Sequence, residues 1–158
     1  MTDLILVRSA GPDEAAALLD LMRRAFAEYR GVLKPESSVF VETEAVLAGK
    51  LAEGGGFVAE RAGRPVGCVI AELKGDRGYL GRLAVLPEAR RAGVARRLML
   101  AGEEFVRARG PTRAELNVRI ALTGNIALFQ ALGYRETQRL AHPGCAESTY
   151  LVMEKSLE

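Results

Sequence analysis

The chain has no tryptophan, a single histidine (His142), two cysteines and only four lysines among its 158 residues. Each scarcity excludes something. One histidine with cysteines at 68 and 145 matches no metal-ligand spacing, so no structural metal is expected. Cys68 lies inside the apolar run "VGCVIA" and is expected to be a buried small hydrophobe, not a nucleophile. A formal net charge of +2 is too small to hold nucleic acid or a membrane surface by bulk attraction. The N-terminal "MTDLILVRSAG" has no basic flank and only a short apolar run. Neither signal peptide nor membrane span is therefore expected, and the chain reads as cytoplasmic with reduced thiols. Two phosphate-binding patterns are also missing, the GK[ST] of a P-loop and the GxGxxG of a dinucleotide site.

What is present describes one globular domain over residues 1–158, with 49% hydrophobic residues to build its core. "LILVR" reads as a short strand, and "GPDEAAALLDLMRRAFAEY" as a helix opened by Pro12, Asp13 and Glu14. Leu18, Met22, Phe26 and Tyr29 recur on it at helical spacing. "RGVLKPESS" breaks that helix, and "VETEAVLAGKLAE" resumes helical periodicity up to Gly54–Gly56. "FVAER" and "PVGCVIAEL" flank Ala62–Gly63–Arg64 as a hairpin, and "KGDRG" turns into the strand "YLGRLAV". Val94, Leu98, Ala101, Phe105 and Ala108 then step by four and three along a helix that ends at Gly110–Pro111. "RAELNV" is a strand, "TGNIALFQALG" a short helix, and "YRETQRLA" and "STYLVMEKS" a closing strand pair. The order β-α-α-β-β-β-α-β-α-β-β predicts an α+β fold. Its mixed, mostly antiparallel central sheet carries helices on both faces in three αβα layers.

One stretch asks for an explanation: "LAVLPEARRAGVARRLM", Leu83 to Met99. Gly93 sits where a strand hands over to a helix and lets the backbone turn tightly beneath a ligand. The first helical amides have no intrahelical partner and carry the positive end of the dipole. Strand, small-residue turn and helix start together make an anion cradle, with Arg90, Arg91, Arg96 and Arg97 around it. Taken alone, R-x-x-G-x-A is so loose that a solvated helix face is the better explanation of the arginines.

Context changes that balance. "RRAGVA" matches the Q/R-x-x-G-x-G/A signature of the GNAT superfamily of N-acetyltransferases through Arg90, Gly93 and Ala95. "LAVLPEAR" resembles that family's fourth strand with its V-x-P-x-x-R lead-in, "LFQALGY" its LYxxxGF segment, and "MEKSLE" its closing strand. The resemblance covers nearly the whole chain. It implies that the segment Arg90, Arg91, Ala92, Gly93, Val94, Ala95 and Arg96 binds the pyrophosphate of acetyl-CoA, and that the backbone of Leu83, Ala84 and Val85 pairs with the pantetheine arm.

The chain also departs from the family pattern. Asn117 stands where some relatives place a glutamate base, Leu122 where the family often has a cofactor-binding asparagine, and Phe129 where a tyrosine commonly protonates the departing thiolate. Asn125, one helical turn on, is the candidate to take over the cofactor contact, and Phe129 to pack on the pantetheine arm. "YRGVLKPESS" occupies the segment that relatives use as one wall of the acceptor site, which makes Tyr29 and Arg30 candidate substrate contacts. His142, in "AHPGC", reads as a solvent-facing turn residue. For the proton acceptor, counting back across "KGDRG" sets Glu72 opposite Tyr79. One reading has Glu72 accept the proton through a water, with Tyr79 orienting that water or the amine. The other leaves Glu72 a solvent-facing residue at a strand end.

The resemblance implies an acetyl-CoA-dependent N-acetyltransferase acting by direct attack on a primary amine of a small molecule or peptide. No metal, nucleic-acid or membrane partner is expected, and a homodimer stays open. The rival reading is a non-catalytic, CoA-binding regulatory module, which the missing tyrosine and glutamate motivate. A nucleic-acid binder ranks last, because it would need exposed aromatic platforms and the aromatics fall at core positions.

Overall fold

The computed structural model describes residues 4–158; Met1–Asp3, part of the N-terminal stretch read above, lie outside them. The elements follow the expected order: β1 (Ile5–Ser9), α1 (Ala15–Phe26), α2 (Glu44–Glu53), β2 (Gly55–Arg61), β3 (Arg64–Lys74), β4 (Arg77–Val85), α3 (Val94–Ala108), β5 (Arg113–Arg119), α4 (Thr123–Ala131), β6 (Arg135–Leu140) and β7 (Tyr150–Ser156). One seven-stranded sheet runs β1-β2-β3-β4-β5-β7-β6. All neighbours are antiparallel except β4 and β5.

Local chemistry sets the boundaries. Pro12–Glu14 forms a 3-10 turn ahead of α1, with the Glu14 carboxylate accepting from the Gly11 N–H. Thr43 caps α2 by accepting from the Val46 N–H, so this helix starts at Glu44 and not at the Val41 that periodicity alone suggested. At the β2–β3 hairpin Ala62 and Gly63 both take left-handed backbone (φ 52° and 76°), as a tight two-residue hairpin turn requires.

Helices cover both faces of the sheet. Gly55 and Gly56 are adjacent on β2, and a Cβ on the first would meet Phe105 of α3, on the second Leu51 of α2. Leu18, Leu21 and Met22 of α1, Leu47 of α2, Ile70 of β3 and Leu98 and Met99 of α3 are almost wholly buried in one continuous core. The stripe read along α3 holds at Val94 and Leu98 and then drifts: Gly102, Glu103 and Val106 are buried, whereas Ala108 is exposed. Glu103 is a carboxylate in the core. It is kept there by the Tyr134 hydroxyl (2.8 Å) and the Lys155 ammonium (2.8 Å), since a buried charge is tolerable only when paired and hydrogen-bonded.

The feature that positions the site is a split in the sheet. β4 and β5 pair only at Arg77↔Arg113, Gly78↔Ala114 and Tyr79↔Glu115. Beyond Tyr79 they diverge, and the β4 edge facing β5 has no strand partner. On its other side β4 stays paired with β3, through a bulge where the register shifts between Cys68 and Ile70. Arg82 sits in that bulge with left-handed backbone (φ 57°).

Candidate active site

A cleft of about 380 Å³ fills the split between β4 and β5. Its walls come from Phe26 of α1, Tyr79–Leu83 of β4, Leu116–Arg119 of β5, the cap residue Leu122 with Asn125 and Phe129 of α4, Tyr150 of β7, and two loops. One loop contributes Leu33 and Glu36–Ser38, the other His142 and Pro143. Segments distant in sequence thus converge on one opening.

Tyr79 stands at the closed end. An added Cβ on Gly81 would lie 2.7 Å from its ring, so the aromatic face rests over a residue that has no side chain to obstruct it. Burial holds the Tyr79 hydroxyl above its ordinary pKa, which keeps it a neutral donor at working pH. Glu72 faces Tyr79 in the β3–β4 register, as turn counting required, but it does not line the cleft.

The bulge is held from outside. Arg82 Nη2 lies 2.7 Å from Glu42 Oε2, and Arg82 Nη1 donates to Ser38 Oγ at 2.8 Å. Lys50 Nζ reaches the same Glu42 oxygen at 3.1 Å. Burial alone would raise the Glu42 pKa; hydrogen bonds from Arg82 and Lys50 outweigh it and hold the carboxylate below its usual range. Arg23 donates to the Glu42 carbonyl (2.8 Å), so the 38–42 segment is tied to both α1 and β4. Cys68 is wholly buried beneath the bulge with its thiol aimed at the Arg82 carbonyl (3.7 Å), and burial pushes its pKa up to about 12. It is inert packing, not a nucleophile.

At the open end β4 passes through a 3-10 turn, Pro87–Ala89, into the arginine loop. Arg91 and Gly93 both adopt left-handed backbone (φ 65° and 75°), and Gly93 is the cap residue of α3. Alternating backbone hands turn successive N–H groups toward one side, and here they join a helix N-terminus. The four arginines are not equivalent. Arg90 donates to the Val85 carbonyl (3.1 Å) and the Ala25 carbonyl (3.1 Å) and pairs with Glu28, so its charge is committed to α1 and its end. Arg97 turns away to the Ile5 carbonyl of β1. Arg91 and Arg96 are exposed at the loop and make no ion pair among the described residues.

These features were compared with known proteins. A sequence model described as the Acetyltransferase (GNAT) family matches residues 16–134. The chain belongs to the GNAT acetyltransferase family. Its members are acyltransferase enzymes that use acetyl-CoA. A mycothiol acetyltransferase from Thermobispora bispora is 39% identical over 87 residues, a match spanning 51% of this chain and 30% of that protein. Among solved structures, the ribosomal-protein-S18-alanine N-acetyltransferase from Escherichia coli superposes with a TM-score of 0.79 at 21% identity, covering 98% of this chain and 95% of that one. The PaiA N-acetyltransferase from Thermoplasma acidophilum, in complex with coenzyme A, gives a TM-score of 0.79 at 16% identity over 97% of this chain and 99% of the other. No helix among the described residues is long and apolar enough to cross a membrane.

Within this GNAT fold, two sequence expectations need correcting. Tyr29 and Arg30 do not line the cleft. Tyr29 packs edge-on against Phe26 (5.7 Å) and Arg30 lies over the Phe40 ring (4.5 Å), while the later residues Leu33 and Glu36–Ser38 form the wall. Local aromatic packing claimed the first two. His142 is not a solvent-facing turn residue. Its backbone N–H donates to Thr149 Oγ1 (2.9 Å), its Nδ1 contacts the same hydroxyl, and its ring sits 5.0 Å from that of Tyr150, which folds it into the cleft wall. Arg90, expected at the phosphate segment, points its guanidinium to Glu28 and two carbonyls. Asn125 and Phe129 do reach the cleft, and Phe129 is buried edge-on against Tyr134.

Proposed function

We propose that this chain transfers an acetyl group from acetyl-CoA to a primary amine of a cytoplasmic small molecule or peptide, by direct attack of the amine on the thioester. The observation that carries this is the free β4 edge, opening beyond Tyr79 and leading straight into the left-handed turns at Arg91 and Gly93.

Backbone alternation supports the cofactor's place. The Leu86 N–H donates to Val66 on β3, so the neighbouring Val85 and, two residues back, Leu83 turn their polar groups away from β3. There Leu83 lines the cleft, and the Val85 carbonyl also accepts from Arg90. With Ala84 between them they offer the pantetheine arm a strand edge, and the Leu83 N–H suits the oxygen that gains charge as the amine adds. The amides from Arg91 through Ala92, Gly93 and Val94 to Ala95 fit a pyrophosphate, with Arg91 and Arg96 supplying charge and Arg90 fixing the loop from behind. Asn125 and Phe129 close the cleft over the arm.

Holding amine and thioester in line supplies much of the rate. The attacking nitrogen must also lose a proton. Glu72, across from Tyr79, takes it through a water that the neutral Tyr79 hydroxyl orients. Two measurements test the whole: calorimetric titration with acetyl-CoA, then a panel of primary amines scored by free thiol release. Binding followed by thiol release that depends on the amine is expected. Binding with no release from any amine would leave only a CoA-binding module.

A further inference from the structure

Two arginines line the cleft, and they stand in opposite electrostatic situations. Arg82 is paired at 2.7 Å with Glu42, a carboxylate it shares with Lys50. Arg119, the last residue of β5, has no carboxylate within salt-bridge distance among the described residues. The one side-chain hydrogen bond of Arg119 among the described residues runs from Nη2 to the Pro35 carbonyl at 2.6 Å. A guanidinium carries five N–H donors in a planar fork, so most of this one's capacity is unspent.

The surroundings of Arg119 say which reactant it meets. Strand alternation puts it on the same face as Asn117, whose backbone lies beside the Tyr79 hydroxyl. On that face it is bracketed by the Leu33–Ser38 loop through Pro35 and by Tyr150, its register partner on β7. The free β4 edge forms the opposite wall of the cleft. Arg119 thus faces the split from the β5 side, tied through Pro35 to the loop segment expected to wall the acceptor site.

Resting on the reading above, we propose that the acceptor carries a carboxylate a few bonds from its primary amine, and that Arg119 binds this carboxylate with the planar fork while the amine reaches the β4 bulge. A half-buried cation gains most from a charged partner, because its own hydration is already reduced: burial holds the Arg119 pKa below its ordinary value. Bidentate pairing would also fix the acceptor's orientation, which direct attack requires.

The test uses matched amines acetylated by the full chain: β-alanine against propylamine, γ-aminobutyrate against butylamine, and peptides with an acidic or an amide residue at the second position. The parent should favour the acid of at least one pair by tenfold or more in kcat/KM. Whether the free acids or the peptides gain tells which source supplies the carboxylate. In Arg119→Gln the ratio should collapse toward one, chiefly through KM, and Arg119→Lys should restore part of it. A second readout needs no turnover. His142 is the one histidine, so its NMR signal is unambiguous, and burial followed by the charge of Arg119 holds its pKa low. A preferred acid should raise that pKa on binding the parent and leave it unmoved in Arg119→Gln. Amines acetylated with no preference for acids, or a preference that survives in Arg119→Gln, would overturn the proposal while leaving acetyl transfer intact. No acetylation of any amine would remove both.

Discussion

Arg82 and Glu42 lock a strand to a loop: a left-handed bulge residue of β4 places its guanidinium on a carboxylate that is 4% exposed, 40 residues earlier in the chain. Glu42→Gln removes the negative charge and leaves Arg82 and Lys50 facing each other. The expected cost is about 1–3 kcal/mol of stability in denaturant titration. The pH dependence has a definite sign. The folded Glu42 pKa lies below its unfolded value, so its stabilisation is complete above the ordinary carboxylate range and is lost as pH falls through the lowered folded value. Parent and Glu42→Gln stability curves should therefore converge in acid. A constant gap down to acid pH would show that the ion pair contributes nothing.

Gly93 has open space where a Cβ would go, yet its φ of 75° strains any side chain. A single substitution there mixes strain with charge. Asparagine and aspartate are nearly equal in size and both enter this region more readily than most residues, so their difference isolates charge. Gly93→Asp should weaken acetyl-CoA binding by about 2 kcal/mol and Gly93→Asn by distinctly less. Equal losses by calorimetry would place the phosphates elsewhere.

The arginines should divide into two groups. Neutralising Arg91 or Arg96 to Gln should weaken acetyl-CoA by about 1 kcal/mol each at low salt, with little effect on phosphate-free acetyl-pantetheine. Arg90→Gln should instead lower the melting temperature, because the Ala25 and Val85 carbonyls lose their donor. If Arg90→Gln discriminates between the two ligands as strongly as Arg91→Gln, its charge reaches the cofactor despite Glu28.

Glu72 and Tyr79 are separable by kinetics. As proton acceptor, Glu72→Gln should lower kcat by roughly 10²-fold and remove the lower limb of the pH–rate profile. Tyr79→Phe should lower kcat and keep that limb, since the phenol is neutral throughout. Parent-like turnover in Glu72→Gln would assign the proton to water or to another group.

The order of all eleven elements was legible because hydrophobic periodicity and turn residues act locally. The facing of Glu72 and Tyr79 was legible too, since a short turn fixes the register of a hairpin. What escaped was long-range. Nothing around Arg82 signals a left-handed residue, because its partners are Ser38 and Glu42. Glu103 looks like one more charge on a solvated helix until Tyr134 and Lys155 fold over it. His142 enters the cleft only because Thr149 draws its loop back. Arg90 fits the signature by identity, and only the fold reveals Glu28 beside it.

The bulge at Arg82 also governs how this scaffold can be re-engineered. The strand edge proposed to polarise the thioester and the loop forming the acceptor wall share one guanidinium, so neither is an independent module. Grafting a different 33–42 loop to change the acceptor would strip Arg82 of Ser38 and Glu42 and free the bulge to relax. A transplant should carry Ser38, Glu42, Lys50 and Arg82 together as one cassette, while a substitution at Glu36 can vary the wall without touching the contacts of Arg82.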